Sequence, residues 1–305
     1  MKTVLVDREN CIGCTNCTHV CPKIFEMKEG KSLPKRAAEE SEIPEVELAI
    51  AQCPVQVISW EGEENSKKQS STGGLFSFFS GIFGKKKSSS IQLLSKRYLT
   101  KDVALFQFSK PEKNALPGQF YTLQFQNSGK DIQRSYSLFD EDEESISFCI
   151  HLTPNGEGSR ILRNLEEKEQ VKYSGPFGQF LLQESSSPKV FIATGTGVAP
   201  IFMMLQKMSK DIPATLLFGV RNEEDIFLEK ELSAFPNLKT IITLSAPSEQ
   251  WKGSKGRVTD ILPTLSFSPK TEFYLCGNPN MIEDGRLYLQ KEGVLPENVF
   301  YEHFS

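Results

Sequence analysis

The sequence predicts a multidomain chain in which three fold classes follow one another: a small α+β unit, an antiparallel β-barrel, and an α/β unit with a parallel sheet. Three observations predict it. Five of the seven cysteines lie in the first 53 of the 305 residues. Residues 91–183 carry short runs of alternating apolar and polar side chains, separated by Gly, Pro and Asn. Residues 188–305 alternate apolar strands with segments of helical period.

In the first block, residues 3–6 read as a strand, followed by a cysteine-rich loop, a helix over 45–52 and a closing strand over 55–60. Glu, Ser, Lys and Gly dominate residues 61–90, too polar to offset chain entropy by burial, so this stretch reads as a flexible linker. Strands are expected at 104–108, 119–125, 145–152 and 170–174 of the barrel block. In the last block strands are expected at 190–193, 215–219, 238–244 and 272–276, and helices at 200–210, 227–235 and 279–292. The expected segments are 1–62, 63–90, 91–185 and 186–305.

Hydrophobic residues make up 38% and charged residues 24%, which supports packed cores. The formal net charge of −4 argues against nucleic acid as a partner, because phosphate neutralisation needs a basic surface. No secretory signal and no apolar run near the ~20 residues of a membrane span is present, so a cytoplasmic location is expected. Within the linker, an apolar run over 75–83 precedes Lys85, Lys86 and Lys87. Docking on the chain's own domains is the favoured reading. A weak contact of 75–87 with a membrane surface, and so a peripheral location, is the second.

Cys11, Cys14, Cys17 and Cys21, with Pro22, give C-x-x-C-x-x-C-x-x-x-C-P, and Cys53-Pro54 follows. Three thiolates at three-residue steps wrap one iron–sulfur cubane, and Gly13 lets the backbone pass close to sulfide. The chain has no second run of this kind, so one [4Fe–4S] cluster is expected on Cys11, Cys14, Cys17 and Cys53. Structural zinc sites usually pair two C-x-x-C knuckles, which disfavours zinc. His19 reads as a polar loop histidine. The block resembles single-cluster bacterial ferredoxins over about sixty residues. In some of those, the cysteine matching Cys21 forms a disulfide with a residue eight before the last ligand. Glu45 stands there, so the resemblance implies that Cys21 is a free, buried thiol.

The barrel block contains Arg134-Ser135-Tyr136-Ser137-Leu138 at a strand end, then Gly156-Glu157-Gly158-Ser159 and Gly175-Pro176-Phe177-Gly178. An arginine forks onto pyrophosphate, a tyrosine offers a flat apolar face, and a serine at a helix start holds phosphate. Taken singly, Arg134 reads as a surface cation, Tyr136 as a core aromatic and Ser159 as a helix cap. In this order and spacing the motifs resemble the flavin domain of the ferredoxin–NADP reductase superfamily. The resemblance implies that Arg134, Tyr136, Ser137, Gly158 and Ser159 contact the flavin, with FAD expected ahead of FMN. It also places the backbone around His151 near the cofactor.

Residues 190–193 lead into Thr194-Gly195-Thr196-Gly197-Val198-Ala199-Pro200, a strand, a glycine turn and a helix start. Such a turn lets phosphates approach a positive helix end. This stretch, Cys276-Gly277-Asn278-Pro279 and the tail Glu302-His303-Phe304 resemble motifs of the same superfamily. The resemblance implies that Gly195, Thr196, Gly197 and Gly277 bind the nucleotide. It sets Cys276 and Glu302 near the nicotinamide, lays Phe304 over the flavin, and gives Cys276, Ser137 and Glu302 the catalytic roles. Competing structural readings are a buried small hydrophobe at Cys276 and an anchor for the C-terminus at Phe304. Leu244-Ser245-Ala246 lacks the arginine that often pairs with a 2′-phosphate, so NADH is expected ahead of NADPH. Arg221, Lys252, Lys255 and Arg257 are other sources of charge.

The resemblance spans about 275 residues. It implies an NAD(P)H-dependent flavoprotein reductase, an oxidoreductase passing electrons from NADH through FAD and the cluster to a one-electron acceptor. That acceptor is an oxygenase, a cytochrome P450 or another redox protein. Other readings are an electron-transfer subunit of a larger redox complex, reverse flow onto NAD(P)+, and a redox sensor. The FAD and iron–sulfur subunit of dihydroorotate dehydrogenase carries C-terminal cluster cysteines that this chain lacks.

Overall fold

The computed structural model describes residues 1–9, 11, 13, 16–29, 31–53, 55, 57–62, 89–127 and 129–304. Cys14 and the 75–87 segment lie outside the described residues, as does the side chain of His19.

The N-terminal segment contains β1 (Val4–Val6), α1 (Asn16–Val20), β2 (Phe25–Lys28), β3 (Lys31–Pro34), α2 (Ile43–Gln52) and β4 (Ile58–Trp60). β1 and β4 pair antiparallel, Val4 opposite Trp60, so the two ends of the segment close on each other. Ile24, Phe25, Val46, Ala49 and Trp60 form a core with Cys11, Cys17, Cys21 and Cys53. Pro44 stands in the first turn of α2, where a missing N–H costs no helical bond. Just ahead of it Glu42 takes both arms of the Arg36 guanidinium at 2.8 and 2.7 Å and accepts the Glu39 N–H at 3.0 Å. The helix stops at Cys53, whose backbone is extended before Pro54, because the residue before proline disfavours the helical region.

The barrel consists of β5 (Ser90–Tyr98), β6 (Val103–Ser109), β7 (Phe120–Asn127), β8 (Lys130–Glu141), β9 (Ser145–His151) and β10 (Gln170–Phe177). It closes in the order β10-β5-β6-β9-β8-β7, and α3 (Glu157–Asn164) connects β9 to β10. Its interior holds Phe106, Phe108, Tyr121, Leu123, Leu138 and Phe148.

A six-stranded parallel sheet follows, in the order β14-β13-β12-β11-β15-β16. Its strands are β11 (Lys189–Thr194), β12 (Ala214–Val220), β13 (Leu238–Leu244), β14 (Ser254–Lys255), β15 (Glu272–Gly277) and β16 (Val299–His303). The helices are α4 (Val198–Lys207), α5 (Glu229–Ser233), α6 (Val258–Ile261) and α7 (Pro279–Lys291). The order reverses at β11, which pairs with both β12 and β15, and ligands bind outside the carboxyl ends of the strands at such a switch point. The barrel and the sheet share one core. Phe139 of β8 stacks on Phe202 of α4 with ring centres 4.3 Å apart. Below it, Lys189 and Glu272 form a buried ion pair at 2.6 Å that Ser185 and Tyr274 also join.

Three expectations need correction. The helix expected over 227–235 is confined to Glu229–Ser233, because Phe227 and Leu228 dock into the core and Leu228 adopts φ +64°. Arg134 to Leu138 lie inside β8 rather than at its end. Ser159 does not open α3: Gly156 is the cap, and Ser159 sits buried in the first turn. β2, β3, β5, β14 and β16 were not expected, for lack of long apolar alternation.

Candidate active site

At the switch point three pieces of chain are forced together. A methyl group on Gly197 would overlap the Cys276 carbonyl, and one on Gly277, at φ +131°, would overlap the Thr194 hydroxyl. Only glycine therefore allows the 195–197 turn and the end of β15 to touch. Thr194 Oγ1 accepts the Asn278 N–H at 2.9 Å, and the Asn278 side chain caps α7 through the Asn280 N–H at 2.9 Å. The Phe304 N–H donates to the Gly277 carbonyl at 2.9 Å, which ties the tail to the same point.

Beside this junction the Ser137 hydroxyl donates to Glu302 Oε2 at 3.1 Å, joining β8 to β16. Glu302 lies opposite Cys276 in the parallel pairing of β15 and β16. Burial pushes the Glu302 carboxyl up to about 8, with the Ser137 hydrogen bond opposing the shift. Burial, and then the Glu302 charge, push the Cys276 thiol up. The junction thus holds a neutral thiol and a carboxyl group able to hold a proton near neutrality. Ser137, Cys276 and Glu302, far apart in sequence, are brought together.

Further along β8, Gly158 of α3 packs over its neighbours, so that a Cβ on it would stand 3.0 Å from Arg134 Cγ and 3.6 Å from Tyr136 Oη. Arg134 is exposed, and its one hydrogen bond among the described residues goes to the Gln133 carbonyl at 2.8 Å. Tyr136 is half-buried and leans on Phe148. Ser159 Oγ accepts the Thr153 N–H at 3.0 Å, which holds the turn before α3. A guanidinium with no ion pair among the described residues, a flat aromatic face and a helix start fit a group with a pyrophosphate and a planar ring.

A cleft of about 530 Å³ runs across the carboxyl ends of the strands. Thr194, Gly195, Thr196, Gly277 and Phe304 line one end, and Arg221, Asp225, Ser245 and Arg257 the other. The barrel contributes Thr100, Asp102 and His151. Neither Arg221 nor Arg257 forms an ion pair among the described residues, so the far end offers cationic groups to an anionic ligand.

In the N-terminal segment Cys11, Cys17 and Cys53 surround one small recess with Gly13, Asn16 and Ser32. The Ser32 N–H points at Cys11 Sγ at 3.5 Å and the Val57 N–H at Cys53 Sγ at 3.4 Å. The Cys17 thiol donates to Ser32 Oγ at 3.0 Å. Burial pushes Cys17 up to about 11, with Cys11 and Cys53 adding to the shift. Converging buried sulfurs with backbone N–H groups aimed at them fit iron–sulfur ligation. Cys21 is fully buried, and burial pushes its thiol up, with Glu45, the residue at the position where the resemblance expects a disulfide partner, adding to the shift. Ser32 carried no sequence signal: its role depends on contacts distant in the chain.

The antiparallel barrel and the parallel sheet with a glycine turn at its switch point are each matched by an oxidoreductase family model. Family models agree segment by segment. Residues 90–181 match the oxidoreductase FAD-binding domain, 191–286 the oxidoreductase NAD-binding domain, and 6–60 the 4Fe-4S single cluster domain of Ferredoxin I. The chain carries FAD-binding and NAD-binding oxidoreductase domains of the kind found in the ferredoxin–NADP reductase superfamily, and an N-terminal single-cluster 4Fe-4S domain. Its cofactors are FAD, one [4Fe–4S] cluster and a nicotinamide nucleotide.

The chain is 33% identical over 199 residues to the toluate 1,2-dioxygenase electron transfer component of Pseudomonas putida, a match covering 62% of this chain and 59% of that protein. It is 29% identical over 221 residues to NADH-cytochrome b5 reductase 1 of Kluyveromyces lactis, covering 66% and 79%. The chain thus spans less than two thirds of the oxygenase components it matches. Among solved structures, a ferredoxin NADP+ reductase from Neisseria gonorrhoeae has the same fold, with TM-score 0.65 and 20% identity, covering 70% of this chain and 98% of that one. Among the described residues no helix is long and apolar enough to cross a membrane.

Proposed function

We propose that the chain oxidises a reduced nicotinamide nucleotide and delivers the electrons singly, by way of FAD and its [4Fe–4S] cluster, to an oxygenase-type acceptor protein. The observation that carries this reading is the buried meeting of Ser137, Cys276 and Glu302, contributed by the barrel, the sheet and the tail. In this reading residues 1–62 hold the cluster, 63–90 link, 91–185 hold FAD and 186–305 hold the nucleotide. A flavin accepts a hydride and releases electrons one at a time, which a cluster requires.

The chain's own residues have separate tasks. Arg134 and the α3 turn with Gly158 and Ser159 bind the FAD pyrophosphate, while Tyr136 and Phe304 supply flat surfaces for the ring. The turn of Gly195, Thr196 and Gly197, with Gly277, positions the nucleotide so that its reactive carbon meets the ring at a productive distance. Cys276, a neutral thiol, fills the space beside the nicotinamide without adding charge. Ser137 orients Glu302, whose carboxyl group holds a proton close to the reacting atoms. Cys11, Cys14, Cys17 and Cys53 are the cluster ligands. Arg221 and Arg257, flanking Ser245 in the cleft, support acceptance of NADPH beside NADH.

Cys53→Ser separates the two halves of the route. NADH-dependent reduction of ferricyanide, which takes electrons from a flavin directly, is expected to stay within about twofold of the parent. Reduction of cytochrome c is expected to fall at least tenfold. Parallel loss, or no loss, of both activities contradicts the route through the cluster.

A further inference from the structure

The far end of the cleft is bounded by a loop, residues 245–257, that runs between β13 and α6. Its base is fastened by backbone bonds: Ser245 N–H to the Val220 carbonyl at 3.1 Å, Ala246 N–H to Arg221 at 2.7 Å, and Gly256 N–H to Leu244 at 2.9 Å. Its middle is folded on itself, with the Trp251 indole N–H donating to the Ser254 carbonyl at 2.9 Å. Apart from this bond to β14, the hydrogen bonds that leave residues 247–253 among the described residues both go to one atom. Glu223 Oε1 accepts the Ser248 N–H at 2.9 Å and the Ser248 hydroxyl at 2.7 Å.

Glu223 opens the 3-10 turn Glu223–Asp225 that follows β12. The same turn aims Asp225 into the cleft, and Arg221 lies two residues before it. The turn therefore touches the loop with one carboxylate and the ligand space with the other. Loop residues Ser245 and Arg257 line the cleft at the two ends of the stretch that Glu223 holds. Residues 247–253, between β13 and the short strand β14, have no strand or helix of their own, and such a stretch samples many conformations unless it is tied down. A carboxylate accepting two bonds from one residue makes such a tie, and bonds to a charged acceptor are stronger than neutral ones.

We propose that Glu223 is a positioning residue of the nucleotide cleft: its grip on Ser248 fixes the 245–257 loop, so that Ser245 and Arg257 stand opposite Arg221 around the adenosine half of the nucleotide. This rests on the reading that the cleft binds a nicotinamide dinucleotide. Glu223 contacts none of the groups at the nicotinamide end. Loosening the loop therefore weakens binding of the adenosine half and leaves the hydride step intact.

The test uses the full holoprotein and ADP as a probe, because ADP has no nicotinamide. Calorimetric dissociation constants for ADP, and KM and kcat with NADH, are compared in the parent, Glu223→Ala and Glu223→Gln. Loss of a two-bond tie is expected to raise the ADP dissociation constant and the NADH KM about three- to tenfold in Glu223→Ala, with kcat within twofold. Glutamine keeps an acceptor oxygen, so Glu223→Gln is expected to recover most of the affinity. Equal ADP affinity in all three proteins overturns the proposal and leaves the nucleotide reading standing. A kcat that falls with affinity, accompanied by loss of flavin, shows general damage and also overturns it. Failure of the parent to bind either ADP or NADH overturns both.

Discussion

The chemistry of the site turns on Glu302, a carboxyl group buried beside a thiol and held by one serine. Its ordinary value is 4.5 and burial carries it to about 8 in the folded chain. Between those values the folded protein keeps a proton that the unfolded chain releases, so stability falls as pH rises through that window. Glu302→Gln has no such proton. The variant is expected to gain thermal stability relative to the parent from pH 5 to pH 8, by a few kcal/mol at the upper end. Parallel melting curves across that range count against a buried, proton-holding Glu302. At this scale the sequence was informative where motifs are local: Arg134, Tyr136 and Ser137 follow one another along a strand, and Cys11, Cys14 and Cys17 along a loop. It was silent where partners are distant. Ser32 gives no hint that it meets Cys11 and Cys17, nor Glu223 that it meets Ser248 across 25 residues.

Among the elements, α2 matters because it ends at Cys53, the proposed fourth cluster ligand. Glu42 fixes its start, and the Arg36 guanidinium, with the Glu39 N–H, holds the Glu42 carboxyl down at about 2. This contribution is full above the ordinary carboxyl value and is lost as pH falls toward 2. Glu42→Ala is therefore expected to lose iron and its visible absorbance faster than the parent at pH 7, with the difference vanishing in strong acid. Equal rates of loss at pH 7 exclude a role for this cap in holding Cys53. Strands with clear alternation, such as β6, β7 and β9, were legible in the sequence. β5 was hidden by the Ser- and Lys-rich composition around it. β16 was hidden because a five-residue edge strand ending in charged and aromatic residues looks like a tail. The start of α5 was misjudged because Leu228 takes a left-handed conformation that no propensity favours.

The whole molecule depends on the angle between barrel and sheet, since Ser137 belongs to one and Glu302 to the other. Two features lie at or beside that junction. Phe139 stacks on Phe202, and the Lys189–Glu272 pair gathers Ser185 and Tyr274 where the chain passes from barrel to sheet. Removing one partner of a buried pair strands the other charge, so Lys189→Met is expected to destabilise the protein by roughly 3–5 kcal/mol. A Lys189→Met/Glu272→Leu double variant is expected to recover much of that loss, as read from denaturant midpoints; equal destabilisation of the two proteins contradicts the ion-pair account. The succession of fold classes was visible from periodicity alone. The junction was not, because it joins side chains 83 residues apart.

The central claim is that one chain holds a nucleotide cleft, a flavin and a [4Fe–4S] cluster in electronic communication. The most direct test is anaerobic titration of the purified, cofactor-loaded protein with NADH and with NADPH, followed by visible and electron paramagnetic resonance spectra. Bleaching of the flavin band and reduction of one [4Fe–4S] centre per chain are expected with NADH, and with NADPH to an extent that falls when Arg221 or Arg257 is replaced. A flavin that stays oxidised with both nucleotides, or a metal analysis that finds zinc in place of iron, contradicts the claim.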